Sequence, residues 1–211
     1  MVETESYLYS LNSKTGWLCL EFANTVEWRA TDHPEDHINN YDELVSWARQ
    51  VGVISQPESQ DLLQKATRHP ETSRATYKRA ISLREAIYRI FSAVVADKQP
   101  EIDDLDTFNA SLSDAFVHLR IANIEKRFTW EWATDVHAID QMLWPVVRSA
   151  GSLLTSKEFD RLGECADDLG CRSLFYDISR NKSRRWCDMK SCGNRNKARQ
   201  FYKRKIKSRK K

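Results

Sequence analysis

Two cysteine pairs near the C-terminus decide how this chain folds. The first pair bounds the segment Cys165-Ala-Asp-Asp-Leu-Gly-Cys171, and the second bounds Cys187-Asp-Met-Lys-Ser-Cys192. The 15 residues between the pairs are long enough for a strand and a turn. Four thiolates can hold Zn²⁺ in a tetrahedron, with each pair wrapping the ion from one side. Because no histidine follows His137, a mixed cysteine and histidine site in this segment is excluded.

The expected cellular compartment also favours a metal at these cysteines. The N-terminal sequence MVETESYLYS has acidic residues where a secretory signal needs positive charge. No run of about 18 apolar residues predicts a membrane helix. We therefore expect a cytoplasmic protein whose thiols remain reduced, and clustered cysteines there bind metal more often than they form disulfides. Redox switching and an iron–sulfur cluster are the alternatives to zinc.

A module of under 50 residues is too small for a sufficient apolar core, so zinc would stabilise its fold. We expect a strand over 173–178, a turn over 179–183 and a helix that begins at the fourth cysteine. Ser191 is the expected N-cap of this helix, and Trp186 is the expected core residue beneath the metal. The expected packing face of the helix consists of Ala198, Phe201, Tyr202 and Ile206.

Charge is distributed as unevenly as the cysteines. Residues 163–211 contain 16 Lys and Arg against 5 Asp and Glu, a net charge of +11. Residues 1–162 contain 17 basic against 25 acidic residues, a net charge of −8. A basic segment on an acidic body suggests binding to a polyanion. The alternative is a solvated basic tail that aids solubility.

The basic segment has the chemistry of a nucleic-acid interface. Arg195, Arg199 and Lys203 follow i, i+4, i+8 spacing and therefore share one helix face. Lys and Arg bind phosphates, while Arg and Asn can also bind base edges. Pairing of Arg184 or Arg185 with nearby aspartates is the alternative, and the residues alone do not separate DNA from RNA. The candidate nucleic-acid contacts are Arg180, Arg184, Arg185, Asn194, Arg195, Lys197, Arg199 and Lys203.

The preceding residues predict a mainly α-helical body with a β-hairpin, an α+β fold. The periodicity of apolar residues predicts helices at about 41–51, 56–68, 73–97, 102–112 and 135–155. Ser55 is the expected N-cap of the second helix, and Pro145 should kink or restart the last one. Apolar and polar residues alternate over 117–121 and 128–132, which predicts a hairpin with its turn at 123–127. The apolar run 16–26 fits either a strand or a buried helical turn.

The body has few residues that suggest chemistry. Asn24 and Thr25 follow a buried apolar run, and Arg84 could add a positive charge, so these three could line a pocket for an anionic effector. A local cap or turn is the alternative for Asn24. The acidic and histidine-containing segment 32–37 is interpreted as a solvated loop, and Cys19 as a buried core thiol. Enzyme signature motifs are absent from the sequence.

Three motifs resemble a known family. The run from Ser179 to Arg199, which includes Cys192-Gly-Asn-Arg195, closely resembles the CGNR zinc finger. Gly16-Trp-Leu-Cys-Leu-Glu-Phe-Ala-Asn-Thr25 and Leu83-Arg-Glu-Ala86 are similar to segments of the ABATE domain, which usually precedes that finger. The resemblance implies a bacterial stress-induced transcription regulator with a treble-clef-like finger. It also implies that Cys165, Cys171, Cys187 and Cys192 are the zinc ligands, although the first pair is one residue wider than the family's form.

The residues and the resemblance together predict two domains. Residues 1–160 would form a mainly helical, ABATE-like body that senses an unknown small molecule or mediates homodimerisation. Residues 161–211 would form a four-cysteine zinc finger with a basic C-terminal helix that binds DNA. The alternatives are a zinc-finger module that binds RNA or a protein partner, including its own body, and an enzyme in the body domain.

Overall fold

The computed structural model describes residues 16–124, 126–133, 138–157, 159–167 and 169–209. Helices dominate these ranges, and the strands form short antiparallel pairs: β1 with β2, β3 with β4, and β5 with β6. The elements are α1 (Leu18–Ala23), β1 (Val26–Glu27), β2 (Glu35–Asp36), α2 (Tyr41–Gln50), α3 (Gln56–Arg68), α4 (Pro70–Val95), α5 (Ile102–Phe116), β3 (Leu119–Ile124), β4 (Arg127–Trp132), α6 (Trp144–Leu154), β5 (Leu162–Glu164), β6 (Leu174–Tyr176) and α7 (Asn194–Arg209). The predicted fold class, mainly α with small β-hairpins, is confirmed.

Local capping explains where several helices begin. Ser55 accepts a hydrogen bond from the Glu58 amide, and the Glu58 carboxylate accepts one from the Ser55 amide. This reciprocal capping box confirms the predicted start of α3. Pro145 lies in the first turn of α6, where its missing N–H costs nothing, so the helix starts here. The earlier start predicted for that helix was wrong, because 138–140 are not helical and Gln141–Leu143 form only a 3-10 turn, while 134–137 lie outside the described residues.

The core forms around α1, a short helix that packs against α4 and α6. Leu18, Leu20 and Phe22 are almost fully buried, so the apolar run at 16–26 forms a helix rather than a strand. Apart from Glu21, α1 is apolar on every side, because it packs against α4 and α6. Cys19 is also buried in this core, as predicted, and burial raises the pKa of its thiol to about 12.

The predicted β-hairpin is present, and only its base packs on the body. Ile121 lies opposite Trp130, and the strands extend to Ile124 and Arg127, so the turn is shorter than predicted. At the base, the Trp132 ring lies 5.7 Å from the ring of Trp144. The outer half of the hairpin extends beyond the body, and most of its apolar side chains are exposed there.

Candidate zinc centre and nucleic-acid interface

The β5–β6 hairpin positions the first cysteine pair. Cys165 follows β5 directly, and its amide donates to the carbonyl oxygen of Ser173 at 2.9 Å. Cys171 lies three residues before β6, at the other end of the loop. Because the two strands pair antiparallel, with Glu164 opposite Leu174, both cysteines emerge at the same end of the hairpin.

The second pair lies at the start of the basic helix. Cys187 precedes a π-helical turn at Met189–Gly193, and Cys192 lies within that turn. The Asp188 carboxylate caps the turn, because it accepts hydrogen bonds from the amides of Lys190 and Ser191 at 3.0 and 3.1 Å. The prediction that Ser191 is the cap was therefore wrong. An aspartate three residues earlier reaches the free amides, and its negative charge is favourable at a helix N-terminus.

The four cysteines converge into one site that fits Zn²⁺. Their Sγ atoms lie within 4.8 Å of one another. The distances from Cys187 Sγ to the Sγ atoms of Cys171 and Cys192 are 3.6 and 3.7 Å. A tetrahedral site with Zn–S bonds of about 2.3 Å requires sulfur atoms roughly 3.8 Å apart. Zn²⁺ bound here would join the two halves of the finger and compensate the charge of the thiolates.

The electrostatics of the thiols also favour a cation. Hydrogen bonds from Cys165 and Cys187 lower the pKa of Cys171 below its ordinary range, so this thiol ionises readily. Burial and the neighbouring thiol groups raise the pKa of Cys192 to about 12. Each thiolate that forms in this small space therefore makes the next ionisation less favourable, because the negative charges repel each other. A bound divalent cation compensates that negative charge.

Two tryptophans and an arginine enclose the cysteines. Trp186 packs against the cluster, as predicted, and Trp28 from the body packs beside it. Arg195 donates from Nη2 to the Sγ of Cys192 at 3.0 Å, and its guanidinium lies 4.4 Å from the centroid of the Trp28 ring. A hydrogen bond to a ligand sulfur reduces the charge that the sulfur carries and fixes its orientation.

Asp167, in the loop between the first two cysteines, fixes the basic helix α7 in place. Its side chain is fully buried, and it forms ion pairs with Arg195 at 3.0 Å and Arg199 at 2.7 Å. The prediction that Arg195 and Arg199 share a helix face is correct, but this face turns toward the protein. Asp167 was not among the residues predicted from the sequence. An acidic residue between cysteines, together with arginines at i, i+4 spacing, was the available signal.

Arg184 has a similar structural role. Its guanidinium donates to the carbonyl oxygens of Trp186 and Cys187, and it lies 4.7 Å from the centroid of the Phe175 ring. The alternative of a side-chain pair with an aspartate is not what the structure shows, since the guanidinium binds carbonyl oxygens and only the backbone amide of Arg184 donates to Asp177, at 2.8 Å. The nucleic-acid role of Arg184 stays a prediction, and the structure gives its side chain partners within the finger.

Other predicted contact residues remain on the surface of the finger. Arg180, Arg185, Asn194, Lys197 and Lys203 are all exposed. The predicted packing face of α7 was wrong, since Ala198, Phe201, Tyr202 and Ile206 are exposed as well. After Arg199, which still pairs with Asp167, the side chains of α7 through Ile206 are all exposed. The exposed part of α7 is therefore both basic and partly apolar.

Comparison with sequence families agrees with this geometry. The ABATE family, described as "Putative stress-induced transcription regulator", matches residues 16–157, and the CGNR zinc finger matches residues 161–205. The chain belongs to the ABATE family. The resemblance noted in the sequence is thereby confirmed. A search of curated proteins found no significant match.

The CGNR finger is docked on the ABATE domain through specific polar contacts. The Asn24 side chain donates to the Leu174 carbonyl oxygen and accepts from the Leu174 amide, both at 2.8 Å. Close by, the Ala30 amide donates to the Gly170 carbonyl oxygen at 3.0 Å. Gly170 has a φ of +95°, and a Cβ there would lie 2.7 Å from the Ala30 oxygen, so glycine is required. Asn24 therefore joins the two domains.

The remaining predicted effector residues bind other parts of the ABATE domain. Arg84 is almost fully buried and forms a bidentate pair with Asp36, both distances being 2.7 Å. Arg84 also donates to the Thr25 hydroxyl at 3.2 Å and to Glu85 at 3.0 Å. An effector role for Asn24, Thr25 and Arg84 stays a prediction, and the contacts within the chain account for all three side chains.

The described part of the chain has no helix that is both long and apolar enough to cross a membrane. The cluster of Glu27, Glu35 and His37, which includes residues of the predicted solvated loop, is exposed. The interpretation of 32–37 as a solvated loop is correct for the exposed residues 32–34 but wrong for Glu35–Asp36, which form β2, with Asp36 paired to the buried Arg84.

Proposed function

We propose that this ABATE family member is a zinc-dependent transcription regulator that binds DNA through its CGNR finger. The observation that carries the proposal is the exposed basic surface of the finger, next to a site that fits Zn²⁺. Phosphate contacts from such residues supply most of the nonspecific affinity for nucleic acid. The family description, which names a transcription regulator, supports the same role.

The basic residues of the finger divide into two groups under this proposal. Arg180, Arg185, Lys197 and Lys203 are exposed and are assigned to phosphates, and Asn194 at the start of α7 is assigned to a base edge. Arg184, Arg195 and Arg199 instead hold the loops and α7 in position. This assignment narrows the predicted set to the residues whose side chains face outward.

The ABATE domain then has a supporting role. We place the protein in the bacterial cytoplasm, where its cysteines stay reduced, and assign it to a stress response. The ABATE domain would sense a small molecule or mediate dimerisation rather than catalyse a reaction, in agreement with the regulator and finger descriptions.

The proposal is tested by fluorescence anisotropy with the full-length, zinc-loaded protein and a mixed-sequence DNA duplex. The double variant Arg185→Ala/Lys197→Ala should bind more weakly and should reduce the slope of log K against log [salt] by about 1.8, because two phosphate contacts are lost. The matched control is Arg74→Ala/Lys78→Ala, which removes an arginine and a lysine from the exposed face of α4. The control should bind like the parent protein.

Three outcomes contradict the proposal. The first is unchanged DNA binding by the finger variant, and the second is an equal loss by the α4 control. The third is a clear preference for an RNA of the same sequence, which favours the RNA-binding alternative. The contacts of Asn24 and Gly170 show that the finger does bind its own body. These contacts leave Arg185 and Lys197 exposed, so body docking does not explain the basic surface.

A further inference from the structure

Strand β4 leaves one edge without a strand partner. It pairs with β3 on one side, and on its other side no strand of the described residues pairs with it. A two-stranded hairpin is marginally stable alone, and its free edge presents unpaired backbone donors and acceptors. Proteins usually protect such an edge by covering it or by placing like charges along it. Within the described ranges no other strand covers this edge, and its charged residues, Arg127 and Glu131, are of opposite sign.

One face of the hairpin exposes an apolar cluster. Ile121, Phe128 and Trp130 lie on the same face, because Ile121 is opposite Trp130 and Phe128 is two residues away on β4. Their exposed fractions are 54%, 77% and 46%. Arg148 stacks near the Trp130 ring at 5.5 Å, but it leaves the Phe128 side uncovered. A cluster of this kind on one face marks an interaction surface.

The sequence of β4 is complementary to itself about Thr129. When two copies of β4 pair antiparallel with Thr129 on the two-fold axis, Phe128 of each copy lies opposite Trp130 of the other. Arg127 of each copy then lies opposite Glu131 of the other, and that Glu131 also pairs with Arg120 across its own hairpin at 3.2 Å. Each aromatic contact and each ion pair occurs twice, as an isologous interface requires. The aromatic residues fall on one face of the new sheet and the charged residues on the opposite face.

We propose that the chain forms a homodimer by pairing of the β4 edges of two copies, which creates a four-stranded sheet in the order β3-β4-β4-β3. The opposite charges at Arg127 and Glu131 favour a second copy over other partners. An acidic partner could form an ion pair only with Arg127, and a basic partner only with Glu131. A second copy of the chain can form ion pairs with both residues. The exposed rings of Phe128 and Trp130 become partners of each other.

The proposed function leaves open whether the ABATE domain senses a small molecule or mediates dimerisation. This dimer would give it the second role. Two fingers related by a two-fold axis could bind two half-sites on one DNA. The dimer itself does not depend on DNA binding, because its contacts lie on the hairpin and not on the finger. Its assembly state is measured without nucleic acid, so a failure of either proposal can be recognised separately.

Analytical ultracentrifugation of the full-length protein over a dilution series tests the proposal. The parent protein should form a dimer, and Arg127→Glu should raise the dissociation constant about ten-fold or more, since two attractive contacts become repulsive. Lys126→Glu is the matched control, because it makes the same charge change one residue outside the paired segment. This control should leave the dissociation constant unchanged.

Mixing two variants gives the decisive measurement. Glu131→Arg alone should also weaken the dimer, because Arg127 would then face an arginine. A mixture of Arg127→Glu with Glu131→Arg places opposite charges at both contacts, so the mixture should dimerise more strongly than either variant alone. This rescue does not arise if the substitutions only damage the hairpin. A monomeric parent protein, an equal effect of Lys126→Glu, or a failure of the mixture to recover dimerisation would overturn the proposal.

Discussion

The ABATE region and the CGNR finger of this chain are stabilised by different interactions. The ABATE domain has a continuous apolar core that includes side chains of α1, α4 and α6. The CGNR finger contributes Leu174 of β6 to this core, and its second buried cluster consists of cysteines, with Trp28 and Trp186 packed against it. The ABATE domain therefore folds through burial of apolar surface, whereas the finger depends on its metal site and on ion pairs. Because of this difference, we expect metal removal and single substitutions to change the stability of the two regions by different amounts.

Metal removal should give the largest difference between the two domains. Binding of a structural zinc contributes about 10–16 kcal/mol to the folding free energy of small fingers. The remaining contacts of the finger cannot compensate for the loss of that free energy. With a chelator, hydrogen exchange should lose protection in α7 and around Cys187, while α1 and α4 stay protected. Hydrogen-exchange mass spectrometry of the full-length protein measures both regions in one experiment.

Two cysteine variants are the controls for the metal experiment. Cys192→Ala should abolish zinc binding and reproduce the effect of the chelator. Cys19→Ala removes a buried thiol from the ABATE core and should keep a stoichiometry of about one zinc per chain. If α7 stays protected after complete zinc removal, the finger does not depend on its metal.

Arg84→Met should destabilise the ABATE domain by about 3 kcal/mol, because the half-buried Asp36 loses its bidentate partner, whereas Glu85 keeps its ion pair with Arg29. Burial alone would raise the pKa of Asp36, but hydrogen bonds from Arg84 hold that pKa below its ordinary value. The stabilisation from this pair is therefore present at neutral pH and is lost as the pH falls through the lowered pKa of Asp36. Urea unfolding at pH 7 and at lower pH measures both effects.

The variant Arg79→Ala is the control for this ion pair, since Arg79 pairs with Asp140 on an exposed part of the surface. Its cost should stay below about 1 kcal/mol, and it should not change the response to pH. Equal costs for the two variants would show that burial of Arg84 has no special effect. An unchanged acid response in Arg84→Met would contradict the lowered pKa of Asp36.

The same contrast explains what could be predicted from the sequence. Periodicity and capping signals are local, so α2 to α5 and the Ser55 cap were predicted closely, whereas the start of α6 was placed too early. The cysteine cluster was predicted because its spacing and residue type are specific for zinc. The inward orientation of Arg195 and Arg199 depends on Asp167, which is distant in sequence, and a helical face pattern cannot show which way a face turns. For the same reason, the predicted packing face of α7 was wrong.

The smallest expected effect concerns Asp167. Asp167→Asn keeps the shape of the side chain and removes the charge that pairs with Arg195 and Arg199. It should destabilise the finger by about 2 kcal/mol, the range for hydrogen bonds to charged groups, and zinc should remain bound. The faster hydrogen exchange should be confined to α7. Asp160→Asn alters an exposed pair with Lys182 and should have little effect.

A double-mutant cycle separates the ion pair from a general loss of packing around Asp167. If Asp167 acts by holding Arg199, then Arg199→Met in the Asp167→Asn background should cost less than it does in the parent protein, since their common interaction is already lost. Additive costs would contradict this role and would make Arg199 available for nucleic acid. The cycle therefore decides whether the Arg195 and Arg199 face of α7 belongs to the fold of the finger or to its proposed DNA-binding surface.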